Sequence, residues 1–391
     1  MTRALIVALA LPLAGCFLFH GDDDTDVEDD GPVGRDGSVA DAAHDARPLR
    51  DGEVAGCVPR FDSCRVAWTA TAPGVGDGRA DPDVAWTANT AAVVYREDEA
   101  SHLVRFTAEG ELFATESLGD LGEARLAAHP DHGALAAGNL GLRWLDAEGR
   151  PLGDPLAYRP QGREAAGVDV AATPAGYLLF AVPGRSSDGP PIAARLGPEP
   201  GEPVFEEFAT GDPLIPYEHA EDAAGFGTYV GVEIGVETGL FPTAVRLGDG
   251  PGTIVGSGAP RSATTFLDGM VAVGSGGAER IFFYYQSFFP TLVEVGGTGE
   301  IFELDPIMGT GNNGHVSALG DEVVVFVTDP SGAVQGVGWR PGSEPGTPLQ
   351  LAAPDDRRTR EIRSAPWPRG LLAAWECTDG VCAAAIECCT P

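Results

Sequence analysis

A turn closed by glycine recurs along this chain, each time between two short stretches of alternating apolar and polar residues. The copies are LVRFTAEGEL (Gly110), LRWLDAEGRPL (Gly149), AARLGPEPGEPV (Gly201), AVRLGDGPGTIV (Gly252), LVEVGGTGEIF (Gly299) and VGWRPGSEPGTPL (Gly346). Successive glycines stand 39, 52, 51, 47 and 47 residues apart. Glycine suits the position because it adopts positive φ without steric cost. The clearest unit, Val84–Leu118, reads as four strands at Val84–Thr87, Ala91–Arg96, His102–Thr107 and Glu111–Ser117, each bounded by a polar or glycine-containing turn. A period of roughly 40 to 50 residues with four strands per period predicts a β-propeller. No long segment carries the 3.6-residue apolar period of a helix, so the fold class is all-β.

A seventh copy is short by one strand. Ile362–Ala365, Leu371–Glu376 and Cys382–Glu387 supply three strands, and Cys64–Ala70 is a strand that precedes the first complete unit. The expectation is a ring of seven four-stranded blades, closed by the N-terminal strand, which hides two sheet edges at once. Because Arg261–Asp268 fits either blade four or blade five, six and eight are the neighbouring counts. A β-sandwich or a pair of smaller β domains is the competing architecture; the regular spacing and the matched missing strand argue against it.

Three segments organise the chain. Residues 1–15 read as a signal peptide: Arg3, then an apolar run from Ala4 to Ala14 of eleven residues, too short to span a bilayer. The run ends in Leu13-Ala14-Gly15-Cys16, which resembles the bacterial lipobox. That resemblance implies lipidation of Cys16, and acylation of this kind makes a stable anchor. Phe17, rather than Asp, follows the cysteine, which favours the outer membrane. Residues 16–56 read as an acidic, disordered tether. Twelve acids against three arginines in Phe17–Gly56 leave it at about −9, and such a segment cannot bury enough apolar surface to offset its ordering entropy. Its Asp22–Asp30 run approaches a calcium loop, but Val27 stands where glycine is needed, so a solvated spacer is the simpler reading and bound calcium is the one cofactor left open. Residues 57–391 are the propeller.

Net charge is −33, about −25 of it on the propeller, and the chain has no lysine. An acidic surface argues against a nucleic-acid partner, whose phosphates require basic groups, and against direct adsorption to anionic lipid. The six remaining cysteines, Cys57, Cys64, Cys377, Cys382, Cys388 and Cys389, fit disulfides in an exported protein. Cys377 and Cys382 flank a hairpin turn and are expected to pair. Cys57 and Cys64 lie near the closing strand and Cys388 and Cys389 end its expected neighbour, so bridges there would staple the ring, with a local Cys57–Cys64 bridge as the alternative.

Catalytic motifs for phosphate, dinucleotide or zinc chemistry are missing. His129, Asp131 and His132 share a turn but lack a further ligand at readable spacing, so a solvated turn is the simpler reading. His219, Asp222, Asn312 and His315 are candidates for a funnel site, because ligands of propellers tend to bind where inner-strand ends and loops converge. Ile281–Phe289 (IFFYYQSFF) carries six aromatics; packing between blades is the simpler account, and Phe288 and Phe289 are candidates for an exposed binding platform.

The pattern DVAW, strand, VRF-x-AEG, strand (Asp83–Trp86, Val104–Gly110) resembles the propeller repeats of bacterial lipoproteins of uncharacterised function. The resemblance implies fold and envelope location and carries no catalytic residues. The functional expectation is a non-enzymatic envelope protein that binds a protein partner or a glycan; the alternative is a polysaccharide hydrolase or lyase acting from the central funnel.

Overall fold

The computed structural model describes residues 59–73, 80–159, 165–183, 192–207, 219–226, 229–236, 239–246, 253–257, 266–274, 280–286, 291–295, 301–303, 313–328, 331–353 and 361–388. Apart from one 3-10 turn, Phe61–Ser63, every regular element among them is a strand. The first is β1 (Arg65–Pro73). Sheet 1 follows as β2 (Asp83–Trp86), β3 (Ala91–Glu97), β4 (Ala100–Phe106) and β5 (Leu112–Gly119). Sheet 2 is β6 (Ala124–His129), β7 (Gly133–Gly138), β8 (Gly141–Leu145) and β9 (Pro151–Ala157). Sheet 3 is β10 (Ala165–Thr173), β11 (Gly176–Pro183), β12 (Ile192–Leu196) and β13 (Phe205–Glu207). Sheet 4 is β14 (His219–Phe226), β15 (Tyr229–Val236), β16 (Gly239–Arg246) and β17 (Thr253–Ser257). Sheet 5 is β18 (Phe266–Val273), β19 (Arg280–Gln286), β20 (Thr291–Val295) and β21 (Ile301–Glu303). Sheet 6 is β22 (Asn313–Leu319), β23 (Glu322–Thr328), β24 (Val334–Trp339) and β25 (Leu349–Ala352). Sheet 7 holds β26 (Ile362–Trp367), β27 (Gly370–Cys377), β28 (Gly380–Glu387) and, beside β28, the distant β1.

Each sheet is an antiparallel meander of four strands. The first strands β2, β6, β10, β14, β18, β22 and β26 contact one another in that order, and β26 contacts β2 in turn. This is a β-propeller. Its core lies between sheets: one apolar cluster joins Val84, Val93 and Phe106 of sheet 1 to Trp367 and Leu372 of sheet 7, and another joins Ala85 and Leu103 to Leu126 and Leu145 of sheet 2. Second strands, covered on both faces, read as continuous apolar runs. Thus β7 (GALAAG) and β23 (EVVVFVT) are buried throughout, whereas the outer strand β5 alternates between exposed and covered positions.

The recurrent turn joins neighbouring sheets. Gly110 and Gly149 sit at φ +85° and +76°, as the sequence requires. Gly201 and Gly346 do not; in the last turn the left-handed residue is Gly342, at +89°. The turn carbonyls accept hydrogen bonds from the preceding sheet. Arg105 Nη1 donates to the Glu148 carbonyl at 2.6 Å, and Trp144 Nε1 donates to the Gly197 carbonyl at 3.3 Å. Arg105 and Trp144 occupy the same place on the third strand of their units, one residue before its end.

The segment at the start of the described chain is bound to three sheets. Phe61 packs edge-on against Phe326 of β23, with centroids 6.1 Å apart, in a slot where a Cβ on Gly336 would lie 2.8 Å from the Phe61 ring. Its backbone N–H donates to the buried Glu322 carboxylate at 2.8 Å. β1 then pairs with β28, and Cys64 is bonded to Cys388, 324 residues away. The local Cys57–Cys64 bridge is thereby replaced, while Cys57 and Cys389 lie outside the described residues. Glu387 of β28 accepts from Arg65 Nη2 at 2.8 Å and from Arg369 Nη1 at 3.2 Å. Finally Trp68 donates Nε1–H to the Ala108 carbonyl at 2.9 Å, and Gly110 leaves room for it: a Cβ there would lie 2.7 Å from the indole.

The second disulfide, Cys377–Cys382, crosses the β27–β28 turn as the sequence predicts. Its loop of five residues constrains the unfolded chain far less than a loop of 324. Replacing Cys64 and Cys388 by serine is therefore expected to lower unfolding stability by roughly 2–5 kcal/mol, clearly more than the same change at Cys377 and Cys382. Urea unfolding of the two double variants checks this; equal losses would contradict it.

Candidate functional site

The first strands share a register position four residues before the strand turns into its hairpin; on β18 it is a glycine, Gly269. On β2, β6, β10, β22 and β26 these residues are Asp83 (paired with Val94), Arg125 (Ala137), Asp169 (Phe180), His315 (Phe326) and Arg363 (Ala374). Asp222 lies at this position on β14, within a bulge between Ala220 and Ala223. Successive side chains along a strand alternate between faces, and on these strands one face meets the next sheet.

Asp83 shows what the position does. Its Oδ1 accepts from the Val84 N–H at 2.9 Å, and its Oδ2 crosses to β6 and accepts from the Leu126 N–H at 2.7 Å. The carboxyl group thus satisfies a backbone donor on the neighbouring strand, whose inner edge has no strand beside it. Burial pushes its pKa up, more than the nearby Arg125 and Arg363 guanidinium groups and the two amides pull it down. Asp169 makes the same local contact, accepting from the Val170 N–H at 2.8 Å.

His315 performs the same task with a different group. Its Nδ1 accepts from the Ser364 N–H on β26 at 3.2 Å and lies 2.9 Å from the Ser364 hydroxyl. That hydroxyl is 2.8 Å from the Ser317 hydroxyl. An Nδ1 that accepts from an amide leaves the ring proton on Nε2. Burial, with Arg363 and Arg125 nearby, holds the pKa of His315 well below its ordinary value. Gly269 of β18 lies against the ring: a Cβ there would sit 3.3 Å from Cδ2.

Of the residues singled out from sequence, His315 is in this ring, and Asp222 and His219 lie on β14 by their backbone. Asn312, Phe288 and Phe289 lie outside the described residues, as does Cys16. The start of the aromatic run packs inward: Ile281 to Tyr285 are buried, with Phe282 edge-on to Trp339 at 5.3 Å and Gly314 leaving room for Tyr284. His129 and His132 stack at 4.5 Å, and His129 Nδ1 accepts from the Asp131 N–H at 3.1 Å, so the turn uses that nitrogen for its own shape. Among the described residues no group of three His, Cys, Asp or Glu side chains is arranged to hold a metal ion. Sequence reasoning missed Asp83, Arg125, Arg363 and Ser364. The available signal was the shared Asp-Val-Ala of residues 83–85 and 169–171.

No protein-family model matches the chain, and no curated protein matches it. Among solved structures it is similar to the β-propeller domain of Myceliophteria thermophila Cps50 (Swd1), with a TM-score of 0.53 and 12% identity over 81% of this chain and 99% of that one. At that identity the likeness shows the propeller fold alone.

Two consequences are measurable. Asp83→Ala strands the Val84 and Leu126 amides and is expected to cost about 1–3 kcal/mol for each; Asp83→Asn, which keeps one acceptor oxygen, should cost less in urea unfolding. For His315, the unfolded chain binds a proton below its ordinary pKa of 6.5 and the folded chain does not. Stability should therefore fall as pH drops through that value. Melting temperatures between neutral and mildly acidic pH should decline less steeply in a His315→Asn variant than in the parent.

Proposed function

We propose that this chain is a lipid-anchored β-propeller of the cell envelope, with seven blades closed by the N-terminal strand, that works as a non-enzymatic binding scaffold for a protein partner or a glycan. The observation that carries the scaffold reading is the use made of the inner ring. The acceptors of Asp83 and His315 are committed to amides of their own and adjoining strands, so these groups fasten sheets together. A hydrolytic funnel needs carboxyl groups free to meet substrate. The cyclic contact of the seven first strands and the pairing of β1 with β28 support the blade count and the closure.

The anchor rests on Leu13-Ala14-Gly15-Cys16 behind a short apolar run, and the outer membrane on Phe17 after the cysteine. An acidic tether would hold an acidic propeller away from an anionic membrane surface.

The test is crosslinked capture from native envelope, comparing the parent with Cys16→Ser. Metabolic labelling with a fatty acid should mark the parent and leave the variant unmarked. A stoichiometric partner should be captured by the parent and lost or reduced in the variant. Retained polysaccharide that is shortened on incubation would overturn the scaffold reading in favour of the hydrolase or lyase.

A further inference from the structure

The large apolar side chains exposed among the described residues fall in one arc of the rim. They are Leu112 (50% exposed), Phe113 (59%), Leu152 (37%) and Val204 (73%). Each follows the closing glycine of its turn by two or three residues, in sheets 1, 2 and 3 respectively: Gly110 precedes Leu112 and Phe113, Gly149 precedes Leu152, and Gly201 precedes Val204. They therefore mark the starts of three successive outer strands.

The end of each of these strands lies beside the start of the next. Arg143 donates from Nη1 to the Ser117 carbonyl of β5 at 3.1 Å and from Nη2 to the Gly153 carbonyl of β9 at 2.6 Å. Gly119, the last residue of β5, lies against Pro155 of β9. Tyr158, just past the end of β9, packs on Phe205 at the start of β13, with centroids 5.5 Å apart. The apolar side chains thus stand at intervals along the rim, each interval about five or six residues, or roughly 15–20 Å at some 3.3 Å per residue.

Phe113 is held in place. The Arg105 guanidinium lies 5.2 Å from its ring centroid and is itself fixed by Glu116 and by the Glu148 carbonyl. A rigid exposed aromatic side chain loses little entropy on being covered and makes an effective anchor. Exposed acids surround the arc: Glu109, Glu111, Glu148, Asp154, Glu202 and Glu206, against the exposed cations Arg150, Arg159 and Arg195. A second copy of this chain, at net charge −33, would bring like charge to like.

We propose that this rim is a docking surface for an extended basic polypeptide stretch whose apolar side chains cover Phe113, Leu152 and Val204. The inference rests on the binding reading above and names the surface and the chemistry of the partner. Two such intervals call for a stretch of about 11 residues in extended form.

The test uses the full chain and a fluorescein-labelled peptide of sixteen residues alternating lysine with leucine or phenylalanine. Fluorescence anisotropy is read at physiological salt. Replacing Leu112, Phe113, Leu152 and Val204 by serine should weaken binding at least tenfold with no change in melting temperature. A peptide of equal charge with serine at the apolar positions should bind the parent as weakly as the quadruple variant binds the first peptide. Equal binding by parent and variant, or by both peptides, would overturn the proposal, as would failure of the parent to bind. Should the quadruple variant fold poorly, Val204→Ser alone, at an isolated site, is expected to weaken binding measurably, and no change would count against the rim. Concentration-dependent dimers of the parent that the serines abolish would assign the rim to a second copy and overturn the basic partner. A partner captured from envelope equally by parent and quadruple variant would leave the scaffold reading standing and overturn the rim.

Discussion

The pairing of β1 with β28 is the contact on which the rest of the structure depends. Without it, sheet 7 would have three strands and an exposed edge, and the two ends of the sheet series would meet only across an apolar seam. With it, the opening residues touch sheet 6 through Phe61, sheet 7 through the strand ladder and Cys64–Cys388, and sheet 1 through Trp68. Trp68 enters the first copy of the glycine turn much as Arg105 and Trp144 enter the second and third. The N-terminal strand therefore supplies both halves of a sheet junction, taking the place of an outer strand and of a third-strand donor at once. Contacts separated by more than three hundred residues are costly to form, so they are expected to come late in folding.

At the centre the same economy holds with polar groups. First strands have one edge unpaired, and an unsatisfied buried amide is expensive. A carboxylate at Asp83 and an imidazole at His315 meet that need, each reaching an amide on the following strand. Arg125 and Arg363 lie near enough to both to lower the proton affinity of each. Hydrogen-bond acceptors on the first strands are thus a means of holding neighbouring strands in register.

Much of this was legible in the sequence because it depends on spacing. The glycine turns, the truncated last unit and the strand before the first unit together define the sheets, and Cys377 and Cys382 are close enough along the chain to name their partner. Cys64 was ambiguous because Cys388 and Cys389 are adjacent, and only register distinguishes them. The inner ring was hidden for a different reason. Its place in the repeat is constant but its residue type is not: aspartate, arginine and histidine alternate there, so composition gives no motif, and the acceptor role appears only when the next strand is in position. Tyr284 and Tyr285 are covered because a second strand has a sheet on either side, whereas Phe113 and Val204 look unremarkable in sequence and are exposed because they begin outer strands.

Native-state hydrogen exchange across the sheets, with disulfides intact, is the most direct test of the proposed ring closure. The account predicts that amides of β1 and β28 exchange with the same opening free energy as those of β3, β7 and β23, because the ring opens as a unit. Early exchange of β1, at an opening free energy well below that of β23, would show that the N-terminal strand is an appendage and would contradict closure as the organising contact.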